Sequence, residues 1–164
     1  MKAWNSTLSA GKGFKPHSKG LKLSVLNKLG KSPAAEAKRH IQALLREICL
    51  KRDLGCILRG VRCGRLVGDA GVVWQADHLV SRSNSATYGD SRLVVLICRD
   101  CHGWKSLGSN LRKAEYDRLV RQLLAPERVA LWDMAELEAG RHKGVKMDWV
   151  LVELALQSEL AKLG

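Results

Sequence analysis

Asp77 stands directly before His78, and 20 residues after that histidine the chain runs Cys98-x2-Cys101-His102. Two thiolates at this spacing wrap one side of a tetrahedral ion, so the second motif is half of a structural Zn²⁺ site and needs another pair. Cys56 and Cys63 are the available pair, although six residues separate them where about two to four are usual. Cys49 is the fifth cysteine; next to Ile48 and one turn from Leu45 it reads as a small buried apolar residue. Asp77 offers a hard oxygen ligand for Mg²⁺ or Mn²⁺, and His102, at the start of a helix, reaches the same ion from the opposite wall. His78 is the candidate general base, since a neutral imidazole titrates near working pH. A base, a divalent cation and cationic groups to hold flanking phosphates are what phosphodiester hydrolysis requires. Arg82, Arg92, Arg99 and Lys105 lie close enough in sequence to supply the last of these. Taken singly, an Asp-His dipeptide, a histidine or an exposed arginine is usually structural or solubilising, so the weight rests on the combination.

These groups need elements to place them. Ser32 followed by Pro33, with Glu36 in the next turn, starts a helix over about 33–52, in which Ala37, Ile41, Leu44, Leu45 and Ile48 form one apolar stripe. Lys38, Arg39, Arg46, Lys51 and Arg52 lie mostly off that stripe, so one face packs while the other is free to meet DNA. Residues 55–71, rich in Gly and Arg, read as turns and short strands. Val72, Val73 and Trp74 begin a β-prone run that ends at Asp77 and His78, a polar loop covers 81–91, and Leu93 to Ile97 form a second strand leading into a short helix through Lys105. The order is strand, loop, strand, helix, a unit too small to be stable without a staple. Helices are expected over about 112–124, 126–139 and 147–163, the last with Asp148 in its first turn. Their apolar positions Leu119, Leu123, Val129, Trp132, Leu151, Leu154 and Leu160 read as core or oligomer interface. The fold class is α+β: a small zinc-stapled core over 33–110, a C-terminal helical scaffold or dimerisation region over 111–164, and a basic flexible arm over 1–32. Trp74 and Trp104 flank the motif; they read first as core and second as stacking platforms for unpaired bases.

Composition bounds the partner. Among 164 residues, Lys and Arg number 28 against 16 acidic residues, a net charge of +12 with pI near 9.8, which favours a polyanion such as DNA. Residues 1–35 hold seven lysines and no acid; Lys12, Lys15 and Lys19 in this arm suit phosphate contacts that do not read sequence. With 46% hydrophobic residues a core can form, and no apolar run approaches the ~18 to 20 residues of a membrane span. The first twenty residues lack the apolar stretch of a secretory signal, so the expected compartment is the cytoplasm, where paired cysteines read as metal ligands before disulfides.

Ala76-Asp77-His78-Leu79-Val80-Ser81-Arg82-Ser83 and Cys98-Arg99-Asp100-Cys101-His102-Gly103-Trp104-Lys105 resemble an HNH endonuclease of the ββα-metal type. With Arg52-Asp53-Leu54-Gly55-Cys56, Trp74-Gln75, Tyr88 and Tyr116, the wider span is similar to the NinG/Rap recombination nucleases of lambdoid phages. The resemblance covers about 45–160, with specific motifs between 52 and 105. It implies metal-dependent cleavage of DNA, notably of branched intermediates such as D-loops and Holliday junctions, in the cytoplasm of a bacterial host if the protein is phage-encoded. By position it makes His78 the general base, Asp77 and His102 the catalytic metal ligands, and Cys56, Cys63, Cys98 and Cys101 the zinc ligands. One position departs: Leu93 stands where the middle Asn of the motif belongs, and Asn84 or Arg92 is the nearby substitute. Paired cuts on a junction would call for a homodimer, for which the C-terminal helices offer an interface. A non-catalytic zinc-bearing DNA-binding accessory protein and a homing or restriction-type HNH nuclease are the competing readings.

Overall fold

The computed structural model describes residues 33–139, 141 and 146–164. The expected arm, with Lys12, Lys15 and Lys19, and the Ser32 cap lie outside the described residues. Five helices and a two-stranded antiparallel sheet make an α+β fold: α1 Pro33–Arg52, β1 Trp74–His78, β2 Val94–Cys98, α2 Arg99–Ser106, α3 Asn110–Leu123, α4 Pro126–Ala139 and α5 Trp149–Lys162. No described helix is long and apolar enough to cross a membrane.

Helix α1 opens on Pro33, carries Glu36 in its first turn and ends on Lys51 and Arg52, the charge order that suits the helix dipole. Ile41, Leu45 and Ile48, one to two turns apart, are fully buried with Cys49; each large side chain contributes about 2 kcal/mol by leaving water. They pack on Ala76, Val94 and Leu96 of the hairpin and on Leu156 of α5. On the other side, Val95 and Ile97 pack with Cys98 and Cys101 and with Tyr116, Val120, Trp132 and Ala135 of α3 and α4. The hairpin is thus covered on both faces, which is why all five residues of β2 are buried and the strand reads as a continuous apolar run.

Among the described residues β2 has β1 on one edge only. Its other edge is closed by charge and loop: Asp53 accepts from the Leu96 amide at 3.0 Å, Arg52 and Arg128 each donate to the Val94 carbonyl at 2.8 Å, and the Ile57 amide donates to the Leu96 carbonyl at 2.8 Å. An exposed row of peptide groups is thereby withdrawn from further pairing.

Several boundaries differ from the sequence reading. β1 begins at Trp74 and not at Val72, because its partner ends at Cys98, opposite Trp74, where the chain turns into α2. Leu93 lies in a single helical turn, Ser91–Leu93, that precedes β2. Asp148 is not inside the first turn of α5 but caps it, accepting from the amides of Val150 and Leu151. Among the apolar positions of the last third, Trp132 is buried, Leu119, Val129 and Leu160 are partly buried, and Leu123, Leu151 and Leu154 are exposed.

Candidate active site and metal centre

The ligand atoms of Cys56, Cys63, Cys98 and Cys101 all lie within 4.8 Å of one another, close enough for one tetrahedral ion. Cys98 and Cys101 bracket the start of α2, the expected knuckle. The six-residue spacing of the other pair is taken up by a wide turn: the Cys63 amide reaches the Leu58 carbonyl, the Gly60 amide donates to the Cys63 carbonyl at 2.8 Å, and Gly60 has φ +82°. That left-handed conformation is costly for any residue with a Cβ. Cys49 is buried in the other cluster, hydrogen-bonded to the Val94 carbonyl and outside the sulfur group. Burial raises the Cys56 thiol to about 12 and raises Cys101 further. Burial acts on Cys98 in the same sense, but hydrogen bonds from the Cys101 amide and the neighbouring thiols outweigh it and bring Cys98 down. One thiol whose thiolate is favoured by its neighbours, beside two whose thiolates are disfavoured by burial, is a donor set that a soft dication relieves. Four sulfurs and no carboxylate suit zinc.

Asp77 and His78 close β1 and line a cleft of about 480 Å³ together with Arg82, His102 and Lys105. Adjacent strand residues point to opposite faces, and here Asp77 faces α3 while His78 faces the loop after β1. His78 is 8% exposed. Its Nε2 is 3.1 Å from the Tyr88 carbonyl, which can only accept, so Nε2 carries the proton and Nδ1 the lone pair. Nδ1 is buried with no hydrogen-bond partner, an acceptor suited to a water or a small polar substrate group. The ring stacks on Tyr88 at 5.1 Å between centroids. Burial pushes the His78 pKa below the usual histidine value, against the pull of the Tyr88 carbonyl, and so favours the neutral ring.

Asp77 is buried and fully engaged: Lys105 Nζ donates to both carboxylate oxygens, at 2.9 and 2.7 Å, and the Tyr116 hydroxyl donates to Oδ2. Burial raises the Tyr116 pKa well above its ordinary value, with the Asp77 charge adding to the effect, so the hydroxyl stays a donor. His102 Nε2 lies 3.9 Å from Asp77 Oδ1. A carboxylate oxygen thus faces an imidazole nitrogen, the two candidate hard-ion ligands named from the sequence, with Lys105 already on both oxygens of that carboxylate.

The structure redistributes the cations named from sequence. Arg82 lines the cleft, exposed. Lys105 is a partner of Asp77 rather than a free phosphate ligand, because a carboxylate this buried requires a counter-charge. Arg92 is paired with Asp90 at 2.8 Å outside the cleft, and Arg99 lines a separate recess beside Cys98. Leu93, where the sequence departs from the motif it resembles, has a buried side chain, and its carbonyl accepts from the Leu79 amide at 2.9 Å. Asn84 braces the loop instead: its side chain accepts from the Ala86 amide and caps the short Ser85–Thr87 turn that presents the Tyr88 carbonyl to His78. Trp74 and Trp104 are partly buried against the core, the second beneath Arg62.

Sequence reasoning did not assign Tyr88 and Tyr116 their roles or place Lys113, Asp117 and Glu136 in the cleft wall. The scarcity of tyrosine was the available signal: the chain has two, and both touch the Asp77-His78 pair. Neither a protein-family model, nor a curated protein, nor a solved structure matches the chain.

Proposed function

We propose that this protein is an HNH endonuclease that hydrolyses phosphodiester bonds in DNA, acting on branched recombination intermediates in the manner of the NinG/Rap nucleases it resembles, in a bacterial cytoplasm. The observation that supports the reading is His78: a buried imidazole whose Nε2 proton is tied to a carbonyl and whose buried Nδ1 has no partner, in a residue that lines a cleft with Asp77, His102 and Arg82. A neutral imidazole fixed in one tautomer beside a cleft suits a general base.

In the proposed reaction His78 Nδ1 accepts a proton from water as the water oxygen forms its bond to phosphorus. The phosphorus–O3′ bond breaks in line, leaving a 5′ phosphate and a 3′ hydroxyl that draws its proton from solvent. The Tyr88 carbonyl and ring hold the imidazole in one tautomer and one plane throughout. Asp77 and His102 would hold Mg²⁺ or Mn²⁺, which supplies charge for the developing oxyanions when bound. Arg82, in the cleft wall, would hold the phosphate next to the scissile one. The four-cysteine centre, with zinc, fixes α2 and therefore His102 and Lys105 relative to β1. The net charge of +12 supports a nucleic-acid substrate.

The test is cleavage of a labelled four-way junction beside matched linear duplex and single strand, with Mg²⁺, Mn²⁺ or EDTA. Metal-dependent cutting that prefers the junction and is lost in His78→Ala is the expected result. Binding without cutting under every cation would favour the non-catalytic accessory protein, and cutting at the wild-type rate by His78→Ala would remove His78 from the mechanism.

A further inference from the structure

A second cleft, of about 430 Å³, adjoins the first and shares Arg82 and His102 with it. Its remaining wall comes from α1 and β1, chiefly Gln42, Arg46, Trp74 and Gln75. Among the described residues no carboxylate lines this cleft, whereas Asp77, Asp117 and Glu136 line the first. Arg46 and Arg82 are exposed, and the ion pairs of the described residues engage neither of them. Gln42 donates from Nε2 to the Ala76 carbonyl at 3.2 Å, which leaves its Oε1 buried without a partner. Two unpaired guanidinium groups beside a half-buried indole suit a ligand that carries an anionic group and a flat ring.

We infer that this second cleft is a nucleotide subsite, in which Arg46 and Arg82 hold a phosphate next to the scissile one and the Trp74 ring offers a stacking surface. The inference rests on the nuclease reading and extends it: a strand whose scissile phosphate lies between His78 and His102 passes Arg82 and arrives at α1. Helix α1 is then part of the substrate track, with its apolar stripe on the hairpin and Arg46 turned to the DNA.

Binding in EDTA separates this subsite from catalysis. Anisotropy of a fluorescein-labelled single strand and a four-way junction is titrated at a series of salt concentrations. Arg46→Ala is expected to weaken binding several-fold and to lower the slope of log K against log salt by about one, with the slope restored in Arg46→Lys. Arg118→Ala, on the exposed side of α3, is the control for overall charge. If Arg46→Ala behaves like Arg118→Ala, the subsite is overturned while cleavage that depends on His78 leaves the nuclease reading standing. A wild-type protein that neither binds nor cuts overturns both.

Discussion

At the scale of single residues, the site is governed by how two adjacent buried groups are neutralised. Asp77 has a cation and a hydroxyl on its carboxylate, and His78 donates a hydrogen bond from Nε2 to a carbonyl, so Nδ1 is the imidazole atom left without a partner. Tyr116→Phe removes a hydrogen bond to a buried charge and is expected to cost about 1.5–3 kcal/mol, read as a lower urea midpoint with an unchanged slope. Lys105→Met is expected to cost more, about 3–5 kcal/mol, since it leaves Asp77 as a buried charge without its cation. Should both variants unfold at the wild-type midpoint, Asp77 would not depend on these partners. Cys49 illustrates the opposite case, a group made inert by its surroundings. Burial raises its pKa to about 12, so at pH 8 only about one molecule in ten thousand carries the reactive thiolate. In the folded protein Cys49 is expected to resist iodoacetamide until denaturant is added; rapid labelling of Cys49 by mass spectrometry would contradict its placement.

At the scale of elements, the hairpin is short and depends on what covers it. Leu45, fully buried between α1 and β2, is expected to cost about 2–5 kcal/mol when cut back to alanine. The open edge of β2 is the less obvious weak point. Asp53→Asn removes the charge that pairs with Arg52, and Asp53→Ala additionally strands the Leu96 amide. The alanine variant is therefore expected to be the less stable of the two by about 1–3 kcal/mol, and equal stabilities in urea would show that the edge is closed by other groups. The same geometry explains the Arg52-Asp53 dipeptide at the end of α1, whose exposed-looking charges serve backbone groups more than forty residues away.

At the scale of the molecule, two clusters lie on either side of one hairpin, and only the cluster with α3 and α4 contains the four sulfurs. Zinc held there would be coupled to folding, since four thiolates without an ion repel one another. Purified protein is expected to carry one zinc per chain. A chelator should lower the melting temperature and expose four thiols while Cys49 remains protected; Cys98→Ser should reproduce the loss of metal. A metal-free protein with an unchanged melting temperature would mean that packing alone holds α2 in place. The last third of the chain is more than a scaffold, for Tyr116, Asp117 and Glu136 bring it to the cleft wall.

Local information carried much of this. The apolar period located every α-helix of the described residues to within two residues or so, the knuckle spacing marked Cys98 and Cys101, and the adjacency of Asp77 and His78 at a strand end placed them on one cleft. These features are legible because they depend on contacts a few residues apart, where geometry follows from spacing. The partners of the site are another matter. Lys105 lies 28 residues from Asp77, Tyr116 lies 39 from it, and the Tyr88 carbonyl reaches a histidine ten residues upstream. Which cation neutralises Asp77, which residue braces the loop in place of the missing Asn, and which arginine of α1 adjoins the cleft depend on how layers pack across the hairpin. Only the tertiary structure decided them, because a buried charge takes whichever partner the packing brings within hydrogen-bond reach.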